Sequence, residues 1–76
     1  MKDTLETIIK TLVDDENAVS IKETETEKEI TFEVAVAESD MGKVIGKQGR
    51  IAKAIRTVIK AVAGKEQKKV SVEFLG

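Results

Sequence analysis

The sequence predicts an α+β domain with the order helix, strand, strand, helix, helix, strand, in which three helices cover one face of a three-stranded sheet. Three observations predict it. Apolar residues recur at helical spacing near the start of the chain and again after residue 50. They alternate with polar residues in three other segments. The chain has 76 residues, no Pro, no internal repeat and no low-complexity stretch, which leads us to expect one domain spanning residues 1–76.

The elements follow in order. Leu5, Ile8, Ile9 and Leu12 fall at i, i+3, i+4 and i+7, one face of an amphipathic helix. Asp3 followed by Glu6 has the spacing of a capping box, which sets the expected start near Thr4. Asp14, Asp15 and Asn17 are poor helix formers and end it. Val19 and Ile21 alternate with Ser20 and Lys22, and Ile30, Phe32, Val34 and Val36 alternate with Thr31, Glu33 and Ala35. These are two strands of a hairpin, whose charged connection over residues 23–29 has no Gly or Asn to name its turn. Ser39 is the expected N-cap of a short helix running to about Ile45, with Asp40 in its first turn. Gly46 and Gly49 interrupt it. Ile51, Ile55, Val58, Ile59 and Val62 then form the apolar face of a second helix, stopped by Gly64 at C′. Val70, Val72 and Phe74 alternate as the last strand. The strand–helix–helix–strand portion is a crossover, so its two strands should run parallel if they pair directly.

Composition removes several function classes. There is no His and no Cys, which takes away the usual general base, the His-containing triads, thiolate zinc sites and disulfides. Ser20, Ser39 and Ser71 therefore have no His partner and read as strand or cap residues. A catalytic role, a cofactor, a metal site and a small-molecule substrate are not expected. No apolar run reaches the ~18 residues of a membrane span and no signal-peptide pattern opens the chain, so the expected compartment is the cytoplasm. Phe32 and Phe74 are the only aromatics, too few for a surface that binds bases mainly by stacking.

The net charge of -1 conceals an asymmetry. Residues 1–40 hold four Lys against twelve Asp and Glu, a balance of -8. Residues 41–76 hold nine Lys and Arg against two Glu, a balance of +7. Lys43, Lys47, Arg50, Lys53, Arg56, Lys60 and Lys65 all lie between Asp40 and Glu66, with no acid among them. The bland account is a solvated helix face. Such faces usually mix both signs, so the run points to an anionic partner.

Gly46-Lys47-Gln48-Gly49 stands at the head of that run, between two helices. Glycine at both ends permits backbone angles other residues avoid and close approach of another backbone. First-turn amides and the helix dipole add positive potential after Gly49, and Lys47, Arg50 and Lys53 add full charges. The combination suits a phosphate. At about 100° per residue, Arg50, Lys53, Arg56 and Lys60 share one side of the helix, which extends the basic stripe along several phosphates. A P-loop does not fit: from Gly42 the spacer to Gly46 is one residue short, and Gln48 stands where a hydroxyl binds magnesium.

The run Val44-Ile45-Gly46-Lys47-Gln48-Gly49-Arg50-Ile51 resembles the V/I-I-G-x-x-G signature of the KH domain. With Met41-Gly42-Lys43 before it and Ala52-Lys53-Ala54-Ile55-Arg56-Thr57 after it, it is similar to the small single-domain bacterial KH proteins of the KhpA type. The element order is that of a type II KH domain. The resemblance implies single-stranded RNA binding, in which the loop clamps about four nucleotides, and a role as RNA chaperone or post-transcriptional regulator. It assigns Gly46, Lys47, Gln48 and Gly49 to the sugar–phosphate backbone, with Lys43, Arg50 and Lys53 beside them. Val44, Ile45 and Ile51 would floor a base groove between the helices and a sheet edge, or else pack the helical core. The family also implies pairing with itself or with a second, larger KH protein. The alternative function is thus an interaction module acting mainly through that partner. DNA remains open, since phosphate contacts do not separate it from RNA.

Overall fold

The computed structural model describes residues 1–64 and 68–75; Lys65, at the end of the basic run, lies outside them. Its order is α1 (Lys2–Leu12), β1 (Ser20–Glu25), β2 (Glu29–Ala35), α2 (Met41–Ile45), α3 (Arg50–Val62) and β3 (Lys69–Leu75). Short 3-10 turns at Glu16–Ala18, Glu38–Asp40 and Lys47–Gly49 join them. The strands lie in the order β1-β2-β3. β1 pairs antiparallel with β2, from Ser20 opposite Ala35 to Glu25 opposite Ile30. β2 pairs parallel with β3, as the crossover requires, with Phe32 opposite Val72.

Strand alternation decides which face is covered. Ile30, Phe32 and Val34 of β2 and Val70 and Val72 of β3 are buried, together with Leu5 and Ile9 of α1, Val44 of α2 and Ile55 and Ile59 of α3. Thr31, Glu33, Ser71 and Glu73 lie on the opposite face. Phe32 is fully enclosed, and truncating such a residue costs about 3–5 kcal/mol.

Three local expectations change. α1 begins at Lys2, with Met1 at the N-cap and no side-chain cap bond. Asp3 therefore sits inside the first turn, and Glu6 pairs with Lys10 at 2.8 Å instead of closing a capping box. Ser39 does not cap α2; it lies inside the 3-10 turn, and Asp40 takes the N-cap position with its carboxylate directed elsewhere. The apolar face of α3 is narrower than the periodicity suggests. Ile55 and Ile59 are buried with Ala52 and Ala63, whereas Ile51, Val58 and Val62 remain 36%, 44% and 50% exposed.

The hairpin turn is closed by a side chain. Thr26 N donates to Glu29 O at 2.8 Å, while Thr26 Oγ1 accepts from the amides of Glu29 at 3.0 Å and Lys28 at 3.3 Å. A hydroxyl thus does the work usually left to Gly or Asn in a tight turn. Lys69 N donates to Lys28 O at 2.9 Å and Lys68 pairs with Glu25, so the start of β3 is tied to the hairpin.

Candidate nucleic-acid interface

The loop between α2 and α3 owes its shape to backbone angles. α2 ends where Gly46 turns to φ 74°, ψ 176°, with its amide donating to Gly42 O at 2.9 Å. Gln48 follows at φ 58° and Gly49 at φ 73°. Three of the four residues 46–49 therefore have positive φ, and one of them is not glycine. Gly49 N donates to Gly46 O at 3.3 Å and Arg50 N to Lys47 O. The Arg50 amide is thus occupied, where the sequence suggests a free donor. The amides of Lys47 and Gln48 have no backbone acceptor among the described bonds. Successive amides in such turns form an anion-binding concavity.

Gly46 is required for a second reason. A Cβ there would lie 2.6 Å from Ile51 Cγ1 and 3.0 Å from Ile51 Cβ. Ile51 lies against the Gly46 backbone and braces the loop on the first turn of α3. At Gly49 a Cβ would meet nothing within 4 Å, so only its left-handed conformation favours glycine there.

The structure brings Gly46, Lys47, Gln48, Gly49, Arg50, Ile51 and Lys53 together at the loop and the start of α3. Lys47, Gln48, Arg50 and Lys53 are exposed, and among the described residues none of the three cations has an ion-pair partner. Three sequence candidates stand elsewhere. Val44 is 0% exposed and belongs to the core, and Ile45 is half-buried against the same cluster. Lys43 is paired with Asp14 and lies 3.3 Å from Asp40.

Asp40 was absent from the sequence candidates and organises this flank. Its carboxylate is 1% exposed and accepts the Asp15 amide at 3.0 Å. That amide above all, helped by Lys43, holds the carboxyl below its usual range despite burial. Asp14 and Asp40 push the Lys43 ammonium up. The network ties the chain after α1 to the start of α2, and so fixes the helix that leads into the loop. An acid before a short helix is the only sequence sign of it, and that sign reads equally well as a cap.

Arg56 also departs from the stripe. Its Nε donates to Val72 O at 2.9 Å, and its guanidinium carbon lies 5.6 Å from the Phe74 ring centroid. Lys53, Arg56 and Lys60 are all exposed on α3. The four glutamates at positions 23, 25, 27 and 29 sit on and beside the β1–β2 hairpin, on other elements than the cations of the loop and α3.

Among the described residues no helix is long and apolar enough to cross a membrane. The family model for the KhpA/KhpB KH domain matches residues 2–74. The chain is 61% identical over 75 residues to the RNA-binding protein KhpA of Clostridium acetobutylicum, covering 99% of this chain and 100% of that one. It is 57% identical over 75 residues to the protein of that name from Clostridium perfringens, again covering 99% and 100%. The Listeria monocytogenes protein of that name is 47% identical over 75 residues, 99% of each chain. No solved structure matches. A KH core of this topology, a glycine loop with positive φ at three positions and a family match over nearly its whole length place the chain in the KhpA/KhpB KH-domain family.

Proposed function

We propose that this chain binds single-stranded RNA without catalysis, holding the backbone with residues 46–49 and with Arg50 and Lys53 of α3. The observation that carries the reading is the loop geometry. Positive φ at Gly46, Gln48 and Gly49 turns the Lys47 and Gln48 amides away from backbone acceptors, beside three exposed cations. Backbone donors and flexible cations recognise phosphates without reading sequence. Ile51 supplies an apolar surface next to the loop, 36% exposed. Val44 is omitted because it is buried, and Lys43 because Asp14 and Asp40 neutralise it. The relatives named RNA-binding protein KhpA support RNA as the ligand. A role as RNA chaperone or post-transcriptional regulator in the cytoplasm completes the proposal.

The test is the double variant Lys47→Asp/Gln48→Asp. It places two carboxylates at the phosphate position, and like-charge juxtaposition costs several kcal/mol. Titration with a short single-stranded RNA should show binding lost, with the circular dichroism spectrum unchanged. Wild-type affinity in the folded variant would remove the phosphate clamp.

One observation favours a second, compatible reading, pairing with another copy or a second KH protein. Ile51, Val58 and Val62 form an exposed apolar row on α3. Val58→Glu should lower the sedimentation-equilibrium mass to that of a monomer. An unchanged mass would exclude this row as the interface.

A further inference from the structure

Arg56 is set apart from its basic neighbours by what holds it. All three are exposed, but among the described residues the Lys53 and Lys60 ammonium groups have no hydrogen-bond or ion-pair partner, whereas the Arg56 guanidinium is held by the Val72 carbonyl at 2.9 Å, with the Phe74 ring centroid 5.6 Å away. It thereby lines the cleft between α3 and the edge strand β3, together with Lys60, Lys69, Ser71, Val72 and Glu73. Both anchors leave its terminal nitrogens uncommitted. Among the described residues neither Nη atom has a hydrogen-bond acceptor, and no acid pairs with Arg56. A planar fork held in one orientation is a poor device for following mobile phosphates. It suits a ligand edge that offers two adjacent acceptors.

We propose that Arg56 reads a nucleobase and selects guanine or cytosine in an RNA strand held by the 46–49 loop. This rests on the RNA-binding function proposed above. Guanine presents O6 beside N7, and cytosine presents O2 beside N3. Adenine and uracil place an N–H donor next to or between their acceptors, so each leaves one arm of the fork opposed by a donor. Position supports the assignment. Arg56 lies six residues beyond Arg50, about 9 Å along the helix axis at 1.5 Å per residue, within the span of the roughly four nucleotides that a KH loop clamps. The rival account is that Arg56 only covers the exposed backbone of an edge strand.

The experiment compares short unstructured RNAs of adenine and uracil alone with the same RNAs carrying a central guanine or cytosine. Wild-type protein should prefer the substituted RNAs by about tenfold, as expected for one bidentate contact. Arg56→Lys keeps the charge and loses the fork, so the preference ratio should fall to near one. Equal wild-type binding to all the RNAs, or a ratio retained in Arg56→Lys, would overturn the assignment. So would an equal weakening of every RNA, which is the mark of an edge cover. Should Arg56→Lys not fold, the Arg56 Nε–H resonance of the wild-type protein gives the answer by NMR. It should move with the guanine or cytosine RNA more than with the adenine–uracil RNA; equal movement, or none, would overturn the proposal. Binding without base preference removes Arg56 alone, whereas no binding to any RNA removes the RNA-binding reading itself.

Discussion

Gly46→Ala and Gly49→Ala look equivalent in the sequence and should differ in cost. Both put a Cβ at positive φ. Gly49, at φ 73°, ψ 16°, is an ordinary left-handed residue, for which the added Cβ costs about 1–2 kcal/mol. Part of this is offset because Ala restricts the unfolded chain by about 0.4–1 kcal/mol more than Gly. The net is about 1 kcal/mol, since nothing lies within 4 Å of the new atom. Gly46, at φ 74°, ψ 176°, occupies a region that is essentially reserved for glycine, at about 1–3 kcal/mol. Its Cβ would also meet Ile51 Cγ1 at 2.6 Å, Cδ1 at 2.9 Å and Cβ at 3.0 Å. Ile51 is β-branched in a helix and has one preferred χ1, so turning it away costs a further ~0.5–1.5 kcal/mol. Less the same unfolded-state offset, Gly46→Ala should therefore cost about 1–4 kcal/mol, with a midpoint above about 2 kcal/mol. A 76-residue domain has only about 4–11 kcal/mol in total. Urea unfolding of both single variants, Ile51→Ala and the pair Gly46→Ala/Ile51→Ala measures the terms. The pair should recover ~1 kcal/mol relative to additivity. Equal costs at the two glycines, or strict additivity in the pair, would refute the bracing of the loop by Ile51.

Three further outcomes follow from the same geometry. Gln48→Gly should leave stability within about 1 kcal/mol or raise it in thermal melts, because φ 58° is strained for Gln and free for Gly; a loss of 2 kcal/mol or more, on the order of a broken packing contact, would mean that the Gln48 side chain holds the loop. RNA affinity should fall with salt, and Arg50→Ala and Lys53→Ala should each flatten the log–log slope by ~0.7, whereas Lys10→Ala, whose ammonium already pairs with Glu6 at 2.8 Å, should leave the slope unchanged; an equal effect at Lys10 would place RNA across α1. The Asp40 carboxyl is held below its usual range, so its contribution is present above the ordinary carboxylate pKa and is lost as pH falls through the lower folded value; acid unfolding followed by circular dichroism should be shallower in Asp40→Asn, and an identical acid limb would show that Asp40 contributes nothing there.

What was legible in the sequence was what period and order determine. Alternation at Ile30, Phe32 and Val34 and at Val70 and Val72 gave the covered face of the sheet, and the crossover gave the parallel pairing of β2 with β3. The loop was legible because glycine at positions 46 and 49 marks positive φ directly. The remainder depended on partners that the spacing of residue types does not name. Lys43 resembles its basic neighbours until folding brings Asp14 and Asp40 to it. Thr26 resembles any strand residue until its hydroxyl accepts two amides across the turn. Val13 is buried one residue past the end of α1, where it extends the Leu5–Ile9 row by one more i+4 step, its amide still donating to Ile9 O at 3.2 Å.

α3 shows why a periodic pattern cannot by itself assign a helix face. At about 100° per residue its thirteen residues divide into an outward arc of Arg50, Ala54, Thr57 and Ala61 and three others. Ala52, Ile55 and Ile59 form the buried one. Ile51, Val58 and Val62 lie roughly 80° to one side and stay exposed. Lys53, Arg56 and Lys60 lie roughly as far to the other side, and Arg56, nearest the buried arc, is the one that reaches β3. Periodicity alone merges the two apolar rows into one broad face and the three cations into one stripe. The structure divides each of them. Under the assignments proposed above, a protein partner takes the exposed apolar row, phosphates take the outer lysines, and a base takes the guanidinium beside β3. A nucleic acid and a second protein can then occupy opposite flanks of one helix, which requires that substitutions at Val58 and at Lys53 act independently on pairing and on RNA affinity.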